Sequence, residues 1–258
     1  MRRVNNICYT LVMVLSVLFY SCGPSQPQET EEGQSGQTEE VKPADNTLTE
    51  QEKLDGWKLL FNGISTKGWR GFNEDSLPAG WVVEKGTLKS LGKGGDIGGD
   101  IVYDEVFGEF ELSLDWKISK GGNSGILYHI VEGPQYKAPY ENAPEYQVLD
   151  DLEFPEPIED WQKVGADYAM YVPDSTKTVK PAGSWNHSRI LFTNEHVEYW
   201  LNGKQTVEFV PWSDDWNERR MNGKWKDYPD YGKAREGMIG LQDHGSFIWY
   251  KNIKIRTI

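Results

Sequence analysis

The chain has 258 residues, of which 40 are acidic and 27 basic, giving a formal net charge of −13 at pH 7. Acidity on that scale repels phosphate backbones and excludes nucleic acid as a partner. Both cysteines, Cys8 and Cys22, fall within the first 22 residues, so the rest of the chain has no disulfide framework, thiolate metal site or cysteine nucleophile.

The N-terminus reads "MRRVNNICYTLVMVLSVLFYSCGPS". Arg2 and Arg3 precede an apolar run from about Tyr9 to Tyr20, which is too short to span a bilayer as a stable helix and has the layout of an export signal. Cys22 follows Ser21 at the end of that run, so residues 1–22 resemble a bacterial lipoprotein signal in which the cysteine becomes the lipid-modified first residue. Acyl chains there would hold the protein at the cell envelope, on the periplasmic or outer-membrane face, with the lipid anchor as its only membrane contact. Removing residues 1–21 takes away two arginines and no acids, which moves the formal charge from −13 to −15. Residues 23–52 are rich in Gln, Glu, Pro, Ser and Gly with almost nothing to bury, and are predicted to form a disordered tether. Residues 53–258 are then one domain, long enough for a single large core.

Within that domain short alternating runs recur, bounded by Gly, Asn, Asp and Pro: "GWVVEKGTLKS", "FGEFELSLDWKIS", "SGILYHIV", "EYQVLD", "HSRILFTNEHVEYWLNG", "KQTVEFV", "GMIGLQDH" and "FIWYKNIKIRTI". In "FELSLDWKI" Phe110, Leu112, Leu114, Trp116 and Ile118 share one face, and Asn202-Gly203 reads as a two-residue hairpin turn. The same alternation in the last run puts Phe247, Trp249, Ile253 and Ile255 toward a core. Many strands at this spacing predict an all-β fold, a jelly-roll sandwich of two antiparallel sheets. Residues 211–236, "PWSDDWNERRMNGKWKDYPDYGKARE", break the pattern and read as a long functional loop with one helical turn.

The order of motifs carries more than each motif alone. "GWKLLFNGISTKGWRGF", "GNSGILYHI", "PEYQVLDD", "KPAGSWNHSRILFTNEHVEYWLNG", "WKDYPDYGKAREGMIGLQDHG" and "KNIKI" together resemble the bacterial 3-keto-disaccharide hydrolase domain family over roughly residues 54–258. The resemblance implies a concanavalin A-like sandwich and cleavage of glycosides whose sugar carries a ketone at C3. His129 and Lys251 stand where that family often has Arg, and a threonine expected near "GGDIGGD" is missing.

On "PEYQVLDD", alternation places Glu145 and Gln147 on one face, and a β-bulge near Leu149 would return Asp150 to it. The spacing resembles the carboxylate strand of sandwich-fold glycanases, with an amide replacing the central acid, so a conventional pair of carboxylates is not complete here. A ketone at C3 acidifies the proton on C2 and opens an elimination route that needs a base, an acid and a group to hold the ketone oxygen. Glu145 and His244 are the candidates for base and acid, in an order the sequence leaves open. Gln147, Gln242 or a bound cation would hold the ketone, and Asp243 stands next to His244. His129, Glu145, Asp150, Asp243 and His244 also offer nitrogen and oxygen donors for a divalent cation, although no spacing demands one. Trp185 with Asn186, in a loop entering a strand, is the candidate sugar platform, while Trp212, Trp216 and Trp225 would wall the cleft. The expected partner is an oxidised (3-keto) sugar or oligosaccharide. A non-catalytic carbohydrate-binding module on a surface lipoprotein shares the fold, the aromatics and the tether, and stands as the alternative.

Overall fold

The computed structural model describes residues 44–93 and 98–258. The signal, Cys22 and the tether up to residue 43 lie outside the described residues. In chain order the strands are β1 (Lys58–Leu59), β2 (Trp69–Gly71), β3 (Trp81–Glu84), β4 (Thr87–Leu91), β5 (Ile101–Tyr103), β6 (Phe110–Ile118) and β7 (Asn123–Ile130). They continue with β8 (Glu145–Leu149), β9 (Asn186–Phe192), β10 (Val197–Leu201), β11 (Lys204–Phe209), β12 (Met238–Leu241) and β13 (Phe247–Thr257). Among the described residues two short helices, α1 (Glu50–Leu54) and α2 (Asp214–Asn222), accompany the strands together with a few 3₁₀ turns.

All pairings are antiparallel and form two sheets, as expected for the concanavalin A-like sandwich. One has eight strands in the order β11-β10-β9-β6-β13-β4-β3, with β1 added on β13; the other has five, in the order β2-β5-β12-β7-β8. Their inner faces meet in one apolar core. Leu112, Leu114, Trp116, Ile190, Tyr250 and Ile253 come from the larger sheet, and Ile126, Tyr128, Tyr146, Val148, Ile239 and Leu241 from the smaller. Truncating any of the large aliphatic side chains here costs about 2–5 kcal/mol. A buried polar chain ties the sheets together: Trp116 Nε1 donates to Ser188 Oγ at 2.8 Å, Ser188 donates to Tyr146 Oη at 2.9 Å, and Tyr146 donates to the Trp200 carbonyl at 3.2 Å.

Three expectations change. Alternation along β13 is interrupted at Asn252 (φ 53°), where the register against β6 shifts. Ile248 and Tyr250 point inward before the break, Ile253 and Ile255 after it, and Phe247 is 47 % exposed. A bulge inserts one residue and reverses the phase, so a single alternation cannot describe the strand. The tether ends earlier than residue 52. Asn46 exchanges two backbone-to-side-chain hydrogen bonds with Asn252 at 2.6 and 2.8 Å, and Thr49 caps α1 with a reciprocal Glu52 bond. Finally, α2 runs for nine residues from its Ser213 cap and is followed by a 3₁₀ turn over Lys224–Asp227, more than one helical turn. The Asn202-Gly203 hairpin is as expected, with φ of 49° and 82° between β10 and β11.

Strand β8 closes one edge of the smaller sheet. Its exposed backbone edge is covered by the segment 165–168: Gly165 and Tyr168 donate to the Gln147 and Glu145 carbonyls, and Gln147 donates to Ala166. This docking carries Tyr168 to the outward face of β8, beside Glu145.

Candidate active site

Because Tyr146 and Val148 fill the core, pleating sends Glu145 and Gln147 to the opposite, outward face of the five-stranded sheet. Gln147 lies across from Gly125 on β7. A Cβ at Gly125 would lie 2.7 Å from the Glu145 carboxyl carbon, so only glycine lets that carboxyl lie over the sheet. The neighbouring strands extend the polar floor. Asn123 opens β7, Gln242 follows β12 with its N–H donated to the Gly125 carbonyl, and Asp100 precedes β5.

Asn123, Glu145, Gln147 and Gln242 floor a cavity of about 280 Å³. Tyr140, Tyr168, Trp225 and Tyr228 wall it, with Lys224 and the exposed His244 at its rim. The Lys224 ammonium sits 4.1 Å from the Tyr168 ring centroid, a cation–π contact that holds it at the mouth.

The floor is short of hydrogen-bond donors. Asn123 Oδ1, Gln147 Oε1 and Gln242 Oε1 are buried without a hydrogen-bond partner. The Gln147 amide is held in its orientation because Nε2 donates to the Gln162 carbonyl at 3.0 Å. A buried acceptor without a donor costs about 1–3 kcal/mol, and a polyhydroxylated ligand would supply donors to all three. Glu145, 4 % exposed, is raised from its ordinary 4.5 to about 8 by burial and by the negative field of Asp100, with Lys224 pulling the other way. Burial likewise pushes Asp100 up to about 7, against the N–H it accepts from Asp243 at 2.9 Å. Neither carboxyl is a permanently ionised group at neutral pH.

Of the residues expected from sequence, the structure brings together Glu145, Gln147, Gln242, His244 and, in the wall, Trp225. It does not bring in the others. The register between β7 and β8 runs without a break from Leu127↔Glu145 to Asn123↔Leu149, so the expected bulge is absent. Asp150 instead accepts the N–H groups of Gly121 and Leu152 at 2.8 and 3.3 Å and shapes the turn. Asp243 accepts the Gly245 N–H at 3.0 Å in a turn. His129 stands at a positive φ of 56°, where β7 shifts register against β12. Its ring is packed against Phe110, Tyr128 and Phe192 and bonds the Gly108 carbonyl at 2.8 Å. Trp185 and Asn186 lie on the other sheet, in a separate pocket of about 430 Å³, where Asn186 clamps both backbone groups of Lys180. Of the three loop tryptophans only Trp225 lines the cavity; Trp216 stacks on Tyr231, and Trp212 packs against Phe192. Of the five residues offered for a cation only Glu145 and His244 line this cavity, and among the described residues no three His, Cys, Asp or Glu side chains are grouped to hold a metal.

Sequence reasoning missed Asn123, Asp100, Lys224 and the three tyrosines. Asn123 stood inside "GNSGI" and Asp100 inside "GGDIGGD", both notable for other reasons. Tyr228 stood inside "WKDYPDYG", while Tyr140 and Tyr168 come from loops and carry no pattern that would have marked them.

A model of the 3-keto-alpha-glucoside-1,2-lyase-like domain matches residues 56–256. The chain belongs to this family. It is 33 % identical over 229 residues to a 3-keto-disaccharide hydrolase of Bacteroides thetaiotaomicron, covering 79 % of each chain. Two solved structures from Parabacteroides distasonis ATCC 8503, both of candidate glycosyl hydrolases, share the fold. One is 47 % identical with a TM-score of 0.78 and covers 83 % of this chain and all of its own; the other is 28 % identical with a TM-score of 0.60 and covers 78 % and 99 %.

Proposed function

We propose that this member of the family cleaves 3-keto-glycosides by proton abstraction at C2, loss of the aglycone from C1, and addition of water to the resulting enone. Family membership and the hydrolase of B. thetaiotaomicron make it a glycoside-cleaving enzyme; the ketosugar and the elimination are the finer reading. The observation that carries it is Glu145, a buried carboxyl held near pH 8 over a glycine, facing a sugar-sized cavity with three donor-seeking acceptors.

In this scheme the Glu145 carboxylate takes the C2 proton. The C–H electrons form the enolate, whose oxygen is held by the Lys224 ammonium, and collapse of the enolate breaks the C1–O bond. His244, on the solvent-exposed rim, delivers a proton to the departing oxygen. Water then adds at C1 and a proton returns to C2, so the net change is hydrolysis. A retaining glycosidase would need one carboxyl ionised as nucleophile and the other protonated. The upward shifts of both Glu145 and Asp100 favour a base-driven elimination instead. A carbohydrate-binding module needs no buried carboxyl, whose ionisation in this cavity works against stability.

The test uses 3-keto-trehalose and a 3-keto-glucoside alongside their unoxidised parents. Deuterium at C2 slows turnover if abstraction limits the rate, and solvent deuterium enters C2 of recovered ketosugar if abstraction is reversible. Rapid hydrolysis of the unoxidised glucoside that is indifferent to Glu145→Gln and His244→Ala would overturn the reading; tight sugar binding without turnover would favour the binding module. We also propose that Cys22 carries the lipid anchor, in which case Cys22→Ser moves the protein from membranes to the soluble fraction.

A further inference from the structure

A second groove opens beside the cavity, between α2 and the segment 161–172. It encloses about 680 Å³, and Lys224 lines both spaces. Trp161, on its wall, meets Tyr168 of the cavity edge-on with ring centroids 5.2 Å apart. A substrate whose sugar sits on Glu145 would therefore extend past Lys224 into this groove.

The two spaces differ in chemistry. The cavity floor carries acceptors in need of donors, whereas the groove has an apolar side made by Trp161, Ala169, Met170 and Val172. Val172 is 54 % exposed. The charged groups opposite are largely committed: Arg219 pairs with Asp215 at 2.9 Å, donates to the Met170 carbonyl at 3.1 Å and stacks over Tyr171, whose hydroxyl also donates to Asp215 at 2.7 Å. Glu218 and Asn222 complete that polar side, but against Trp161, Ala169, Met170 and Val172 the hydroxyls of a second sugar would find few partners. A flat apolar group would cover Trp161 and Val172 and gain their burial.

We propose that this groove is the aglycone subsite and that it favours an apolar aromatic aglycone over a second sugar. The inference rests on the reading of Glu145 as the base at the reacting sugar, and it adds the class of leaving group. The bond broken is still C1–O, and the leaving oxygen departs as the alcohol of that aglycone after taking the His244 proton.

The experiment compares 3-keto methyl, benzyl and 2-naphthylmethyl glucosides, whose leaving alcohols are of similar acidity, together with 3-keto-trehalose. The naphthylmethyl substrate is expected to exceed the methyl one in kcat/KM on the order of 10- to 100-fold, with benzyl between them. Val172→Asp, a change at an exposed position, should cut that ratio several-fold. Equal kcat/KM for all three, a ratio unmoved by Val172→Asp, or 3-keto-trehalose outrunning the aryl substrates would overturn the proposal. If no ketosugar reacts, it is the proposed reaction that fails. The groove is then judged by calorimetric affinity for the unoxidised naphthylmethyl and methyl glucosides: tighter binding of the former that weakens in Val172→Asp supports the subsite, and equal affinities overturn it.

Discussion

The outward faces of the two sheets carry similar residue types and put them to opposite uses. On the eight-stranded sheet, acids and bases are paired off. Glu111 is held by Arg189 and Arg256, Lys89 by Glu84, Lys251 by Asp45 and Lys254 by Glu52. Asp115 accepts from His187 and from Asn252, each at 2.7 Å. Although burial works to raise it, those bonds hold the Asp115 carboxyl below its ordinary value. Even Trp185 has the ammonium groups of Lys117 and Lys251 over its ring. On the five-stranded sheet Glu145 is buried and driven up, and three amide oxygens beside it lack donors. Satisfied polar groups hold the scaffold together; a polar group kept buried at a cost points to a ligand.

The comparison is broken most sharply at Glu145. Replacing it with Gln should lower turnover by about 10²- to 10⁴-fold, and His244→Ala should fall in the same range. The Gln variant should also be the more stable protein. The native carboxyl titrates near 8 and the unfolded one near 4.5, so the stability given by its protonated form is complete below 4.5 and is lost as pH rises toward 8. Glutamine has no such loss, and at pH 7 the variant should gain stability on the order of 3 kcal/mol. A denaturant melt at pH 4 and pH 7 reads this directly, and a variant destabilised at both would count against the assignment.

The pH profile sharpens the same contrast. As a base, Glu145 acts in its ionised form, so in His244→Ala, which removes the acid that must stay protonated, the residual kcat/KM should climb about tenfold per pH unit below about 8 and level off above it. A flat profile of that variant between pH 6 and 8 would remove Glu145 from that role.

On the opposite face the expected effects are structural and smaller. Glu111→Gln leaves two guanidinium groups facing an amide and should cost about 1–3 kcal/mol, with kcat/KM unchanged within twofold. Of comparable size, a chain beginning at residue 53 loses the three hydrogen bonds that Asn46 makes with Asn252 and Gly86, together with the Asp45 and Glu52 partners of Lys251 and Lys254. Compared with a chain beginning at residue 44, it should melt roughly 5 °C lower, for a loss of about 2 kcal/mol. Equal melting temperatures would return residues 44–52 to the tether.

The fold is largely legible because strand alternation and turn residues are local. "FELSLDWKI" and Asn202-Gly203 announce themselves without reference to anything distant. Legibility stops at the bulges, where His129 and Asn252 take positive φ without being glycine. Nothing in a residue's identity marks such a position, yet each reverses the phase of the residues beyond it, which is why counting one alternation along β13 misplaces Phe247 and Trp249. Glu145, Gln147, Gln242 and His244 are within reach because they stand in or just beyond short strands whose pleat can be counted. Lys224 and the tyrosines arrive from loops whose course is set by packing, and Trp185 arrives on the wrong sheet for the same reason.

The bonds from Trp116 through Ser188 and Tyr146 to Trp200 bear on how the site moves. Tyr146 is the neighbour of Glu145, and its hydroxyl is fastened to the far sheet. An edge strand would ordinarily fray first; this one is anchored through the middle of the molecule. Amide hydrogen exchange at Tyr146 and Gln147 should then be as slow as in the central strands, proceeding only when the whole domain opens. The base is in effect a fixed post, so any adjustment on binding falls to the loops that carry Lys224, Tyr140 and Tyr228.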